Sequence, residues 1–290
     1  RGLIERRKFL PPPALMSDSP LVVSAPSGYG KTSFARQMAM RHHPVLWIDC
    51  SEERLTTTEI ADRVEGWSGT HASQPHTSIC STVASNGFVC LEPLVILEDV
   101  DLVVDLSTPE SLIADIVSRL ERAPRIFATT ARATHRSAGR RAEAHLEGFV
   151  YLFHDDMRLS APETPGFATA LGARVAPSSP GDRSRLFERT FGIPALVALT
   201  ADCGHDAEAF RESVGAIIED WVRANRSSPE LVGCALAGLL LGGGPISDIA
   251  TATGSARAGT SGITAVPFLN VDRTHLEVTT FDLPPSLIAG

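Results

Sequence analysis

Lysine is nearly absent: of 26 basic residues in 290 positions, only Lys8 and Lys31 are lysine, the rest being arginine. Nor is there a surplus of positive charge. A formal net charge of −8 and a pI near 5.6 exclude a general nucleic-acid-binding surface. Cysteine is sparse. Cys50, Cys80, Cys90, Cys203 and Cys234 are scattered and odd in number, and none forms a Cys-x-x-Cys pair or a Cys/His group at metal spacing. This excludes a disulfide scaffold or zinc ribbon and predicts reduced thiols in a cytoplasmic protein. Long hydrophobic runs are also missing. The longest, Leu231 to Leu241, is too short to span a bilayer and stops at Gly242-Gly243-Gly244-Pro245, so it reads as a buried helix and no membrane association is expected. No secretory leader and no solenoid repeat are visible, and a chain beginning at Arg1 reads as a piece of a longer protein.

What is present supports a substantial core, with 43% apolar and 21% charged residues. The retained Lys31 lies in Ala25-Pro26-Ser27-Gly28-Tyr29-Gly30-Lys31-Thr32, directly after the apolar run Leu21-Val22-Val23. A compact ammonium fits between the β- and γ-phosphates of a nucleotide, where the planar guanidinium is too bulky. The run matches the phosphate-binding loop Gly-x-x-x-x-Gly-Lys-Ser/Thr except at the first glycine, which is Ala25. Pro26 and Ser27 lead the binding loop, and successive backbone N–H groups through Gly28, Tyr29 and Gly30 would form an anion nest. The helix opening at Lys31, Thr32 and Ser33 would aim its positive end at the phosphates, and Thr32 would share a magnesium ion.

Strand and helix signals alternate through the first half, the mark of a parallel sheet with crossover helices. Apolar strands are predicted at Leu21–Ser24, Val45–Asp49, Leu94–Leu97, Arg125–Thr129 and Phe149–Phe153, and strands of this kind are covered on both faces. Thr108 as N-cap, Pro109 at the first position and Glu110 in the first turn predict a helix with an apolar face of Leu112, Ile113, Ile116, Val117 and Leu120. Gly66 to Gly87 reads as an elaborated loop in which His71 and His76 are solvated. After Ser160 the strand signals stop. Helices are expected at Pro162–Leu171, Ile193–Thr200 and Ala207–Trp221, separated by joints such as Pro177–Gly181. Two or three short helices then lead to a hairpin at Phe268–Val278.

A second constellation, Val95-Ile96-Leu97-Glu98-Asp99-Val100-Asp101, puts adjacent carboxylates at the C-terminal end of a strand, where ligands sit in open α/β sheets. Glu98 is assigned to the magnesium shell and Asp99 to polarising the attacking water, with Asp101 the substitute if the register is off by one.

The order of these features resembles the ATPase module of STAND-class P-loop NTPases, and most resembles the module at the N-terminus of large LuxR-type, maltose-regulon-activator-like transcriptional regulators. Arg1-Gly2-Leu3-Ile4-Glu5-Arg6 resembles the family's lead-in, Ser24 to Thr32 its alanine-containing loop, and Val45 to Asp49 its second strand. Leu97-Glu98-Asp99 is similar to its Leu-Asp-Asp. Thr129-Thr130-Ala131-Arg132 is similar to a sensor segment, which implies that Arg132 senses the γ-phosphate. Phe153 to Ser160 resembles the lead into a helical lid. Gly192-Ile193-Pro194 matches a Gly-x-Pro motif and implies that Pro194 packs near adenine. Near the end, Phe281 stands where the family's winged-helix subdomain has histidine.

The resemblance implies a P-loop NTPase domain over 1–160, a helical lid over 161–227 and a winged-helix-like subdomain over 228–290. It implies ATP/ADP and Mg²⁺ as cofactors, slow hydrolysis, an effector or protein partner, and a nucleotide-dependent oligomer. DNA would be contacted only through a domain outside these residues. The competing reading is an autonomous P-loop enzyme. An AAA-type ATPase would draw an arginine finger from Arg136, Arg140 or Arg141, and a small-molecule kinase would draw its acceptor pocket from the Gly66–Gly87 segment.

Overall fold

The computed structural model describes residues 19–25, 27–51, 54–71, 83–84, 87–88, 92–121, 123–130, 148–171, 179–203, 206–224, 229–240, 243–245, 248–249, 251, 269–271 and 275–278. Its first half runs β1 (Leu21–Ser24), α1 (Lys31–Ala39), β2 (Val45–Asp49), α2 (Thr57–His71), β3 (Val83–Ala84), β4 (Gly87–Phe88), β5 (Leu94–Glu98), α3 (Pro109–Ser118), β6 (Arg125–Thr130) and β7 (Val150–Phe153). Helices α4 (His154–Met157), α5 (Glu163–Ala170), α6 (Pro180–Thr190), α7 (Pro194–Cys203), α8 (Ala207–Ala224) and α9 (Pro229–Leu240) follow. Strands β8 (Gly243–Pro245), β9 (Leu269–Val271) and β10 (His275–Val278) close the described chain.

Five strands form one parallel sheet in the order β2-β5-β6-β1-β7, matching the five predicted apolar runs. Strand β6 intervenes between β1 and β5, so the loop after β1 and the acidic turn after β5 leave the C-terminal ends of strands one position apart. Alternation along each strand divides the core into two layers. Leu94 and Ile96 of β5 point into one layer with Phe34, Ala35 and Met38 of α1. Val95 and Leu97 point into the other with Ile60, Ala61 and Val64 of α2 and Leu112, Ile113 and Ile116 of α3. The first layer also takes in Leu196 of α7, Phe210, Val214 and Ile218 of α8, and Cys234, Ala235 and Leu239 of α9. A smaller cluster, Leu159, Ala168, Leu186, Val197 and Ala201, lies beneath α5, α6 and α7.

Local expectations hold in part. Thr108 accepts from the Ser111 N–H in a capping box, with Pro109 opening α3 as predicted. Val117, however, is 37% exposed and lies off the buried face. Strand β2 is an edge, so of its five residues only Ile48 is buried, not both faces as expected. Helix α2 continues through Gly66 to His71, where a loop was expected, and β3 pairs antiparallel with β4 further on. Ser179 and Pro180, read as a joint, instead start α6: Ser179 caps it in a reciprocal box with Asp182, and proline is tolerated in the first turn, where the missing N–H costs no bond. Beyond residue 228, α9 is followed by helical residues at 248, 249 and 251, in keeping with the short helices expected there. The predicted hairpin is present as antiparallel β9 and β10, joined on its other edge by β8. Among the described residues no helix is long and apolar enough to cross a membrane.

Candidate functional site

Positive φ makes the loop after β1. Gly28 at 88° and Gly30 at 84° lie in the left-handed region that glycine enters without a Cβ penalty, and this lets the chain turn sharply into α1. Ser27, Gly28, Tyr29, Gly30, Lys31, Thr32 and Ser33 therefore follow one another around the turn and the first turn of α1. Pro26 lies outside the described residues. Tyr29 contributes only its backbone here, because its ring is buried in the core layer shared with Phe34. Lys31 is buried. Burial pushes its ammonium pKa down, partly offset by the nearby carboxylates of Asp99, Asp101 and Glu98. A desolvated ammonium of this kind contributes little to the stability of the fold.

Glu98 ends β5 and is buried. Its Oε1 accepts from the Thr32 hydroxyl, and its Oε2 accepts from the Trp47 indole Nε1–H at 3.2 Å. A hydroxyl and a carboxylate at the mouth of a phosphate loop are the hard oxygen donors that magnesium takes when phosphates complete its shell. The residues fit that ion. Among the described residues no group of three or more His, Cys, Asp or Glu side chains is built to hold a metal unaided.

Asp99 takes a left-handed conformation (φ 52°, ψ 49°) unusual for a residue with a side chain. Its N–H donates to the Thr129 hydroxyl at 2.9 Å, bridging from β5 to β6. Burial raises its carboxyl pKa against the opposing pull of Lys31. The neighbouring Cys50 thiol is pushed up to about 12 by burial and by Asp49, Asp99 and Asp101, so it is a buried, protonated thiol and no nucleophile. Asp101, two residues on within the short 3-10 segment that Asp99 opens, is buried. Arg132, Arg136, Arg140 and Arg141 lie outside the described residues.

Helix α7 docks directly on the loop. The Ala195 N–H, in its first turn, donates to the Gly28 carbonyl at 3.0 Å. Pro194 is buried with its ring beside Gly30, 3.7 Å from where a Cβ would stand. Gly192, at φ 68°, has no room for a side chain because a Cβ would meet the Leu159 carbonyl oxygen at 2.0 Å.

The sequence reading missed Trp47 as a site residue, and within the Thr129 segment it singled out Arg132 rather than the Thr129 hydroxyl. Trp47 had a signal. It pairs in register with Ile96, two residues before Glu98, so it lies on the same face of the sheet as that carboxylate.

No protein-family model matches the chain, and no curated protein matches it in sequence. Among solved structures it is similar to a Walker-type ATPase of Pyrococcus abyssi, with 15% identity and a TM-score of 0.55 over 94% of this chain and 91% of that one. It is more distantly similar to a RuvB variant of Thermotoga maritima, at 10% identity and a TM-score of 0.44 over 90% of this chain and 84% of that one. A STAND protein with a tetratricopeptide repeat sensor from Pyrococcus horikoshii stands at 14% identity and a TM-score of 0.43, over 95% of this chain but 41% of that one. With the parallel sheet, the loop after β1 and the acidic turn after β5, the first of these likenesses establishes the fold as the α/β fold of P-loop NTPases.

Proposed function

We propose that this chain binds ATP as its magnesium complex in the loop after β1, hydrolyses it slowly, and works as a nucleotide switch. The loop amides and the end of α1 hold the phosphates. Lys31 neutralises them, and Thr32 with Glu98 holds the magnesium ion, which supplies charge neutralisation to the phosphates when bound. Asp99 orients the attacking water, and its raised pKa favours taking up a proton.

The observation that carries the switch reading is the bond from the Ala195 N–H of α7 to the Gly28 carbonyl, with Pro194 against Gly30. Any displacement of the loop on filling with phosphate acts on α7 without an intermediary. Residues 1–160 would be the nucleotide domain, 161–227 the lid and 228–290 a winged-helix-like subdomain. Pro194 would approach the base and Arg132 the γ-phosphate. That the switch serves a signal-responsive transcriptional regulator is supported by the motif order from Ala25 to Pro194. An effector, a nucleotide-dependent oligomer and DNA contact through a further domain belong to the same reading.

A switch requires that its two nucleotides favour the two states unequally. Calorimetric titration of ATP and ADP with magnesium, followed by hydrogen exchange over 163–240 in each complex, tests both parts. Binding of both nucleotides with different protection of α7 and α8 is expected. Absence of binding overturns the nucleotide reading, and identical protection overturns the switch. Rapid turnover would favour the autonomous enzyme.

A further inference from the structure

Trp47 is an unusual occupant of its position. It sits mid-strand on β2, the sheet edge, and is half-buried against the layer that also holds α1. A ring there would pack well without any polar partner. Its Nε1–H nevertheless donates to Glu98 Oε2 at 3.2 Å, across 51 residues of sequence. The other oxygen of the same carboxylate receives the Thr32 hydroxyl.

We infer that Trp47 is a positioning residue for the magnesium-binding carboxylate of Glu98, the indole fixing one oxygen so that the other faces Thr32. This rests on the nucleotide reading above. Glutamate has three side-chain torsions, and its terminal one is broad and roughly two-fold, so a glutamate at a strand end does not by itself present a defined oxygen. Two donors from opposite sides, one on α1 and one on β2, hold the carboxylate plane. With Thr32 and Oε1 turned to a magnesium ion, the indole would still hold Oε2 and so keep the carboxylate in the same orientation. Partners of this kind, one shell out from a metal, commonly change its affinity by roughly 10- to 100-fold when removed.

The test is the magnesium dependence of ATP binding, read by calorimetry with ATP in EDTA and with ATP in excess MgCl₂. Trp47→Phe removes the N–H and part of the ring. Incorporation of 3-benzothienylalanine at position 47 removes the N–H alone and keeps the packing, which covers the case in which the phenylalanine variant folds poorly. The expected result is that both variants bind ATP in EDTA as the parent does, while the affinity gained from magnesium falls about 10-fold. An unchanged magnesium gain overturns the inference, and so does an equal loss in both buffers, which would make Trp47 a packing residue only. Failure of the parent protein itself to bind ATP in either buffer overturns the nucleotide reading on which the inference stands. Binding by the parent with no gain from magnesium overturns the inference and the assignment of Thr32 and Glu98 to the ion, while ATP binding in the loop stands.

Discussion

Two turns leave the same end of the sheet, and they are built by opposite means. The turn after β1 reaches positive φ with glycine, at Gly28 and Gly30, where the left-handed conformation carries no Cβ penalty. The turn after β5 reaches it with Asp99, at φ 52°, where the penalty is roughly 1–2 kcal/mol. On the proposed reading, glycine serves where only the backbone is used, since N–H groups would hold the phosphate. On the same reading, a side chain is retained under strain at Asp99 because that side chain is the working part. Strain of this sort gathers at functional positions. Burial sharpens the contrast, since Asp99 is also disfavoured as a carboxylate and Lys31 as an ammonium, so both charges are placed at a cost to the fold.

The largest effect should come from Gly192→Ala, where glycine is required for space as well as for φ. A Cβ there would lie 2.0 Å from the Leu159 carbonyl oxygen, whereas at Gly30 the nearest neighbour is Pro194 at 3.7 Å. Summing overpacking and left-handed cost gives about 3 kcal/mol of lost stability, measured by denaturant unfolding. Next is Lys31→Ala. Losing one charge-assisted contact to phosphate should weaken ATP binding about 100-fold, while the thermal midpoint of the nucleotide-free protein does not fall steeply, because a desolvated charge has been removed. Calorimetry and a melting curve check the two halves.

The comparison itself is broken or upheld by a matched pair. Gly30→Ala should destabilise and Asp99→Gly should stabilise, each by about 1–2 kcal/mol and in opposite directions, if both positions pay only for handedness. Equal signs would refute it. The smallest effect concerns pH. The folded pKa of Asp99 is raised, chiefly by burial, so the native state holds that proton more tightly than the unfolded chain. Its contribution to stability is then greatest in acid, below the unfolded value, and is lost as pH rises through the folded one. Asp99→Asn should therefore melt above the parent near neutrality, with the advantage shrinking as pH falls through the carboxylate range. It should also retain ATP while losing hydrolysis.

Much of this was legible locally. The five sheet strands announced themselves as apolar runs, and the α3 start was written in Thr108-Pro109-Glu110. The same kind of signal was present and overlooked at Ser179-Pro180, because a Pro/Ser/Gly-rich stretch looks like a linker until the capping partner Asp182 is counted. Helix α2 runs through Gly66 and Gly69, where an added Cβ would meet nothing within 4 Å, so glycine costs propensity there but no packing. Strand order was not legible, since β6 enters between β1 and β5 through crossovers and no local residue encodes that choice. The bonds that define the site had the same character. Trp47 to Glu98 and Ala195 to Gly28 join residues far apart in sequence, and nothing in either segment alone names its partner.

A crystal structure of the chain with magnesium and a non-hydrolysable ATP analogue tests the central claim most directly. The account predicts the β-phosphate against the amides of residues 28–32 with Lys31 reaching it, and Thr32 and Glu98 turned from each other toward one magnesium ion. Nucleotide bound elsewhere, or bound here with the Thr32–Glu98 contact intact and no magnesium between them, would contradict it.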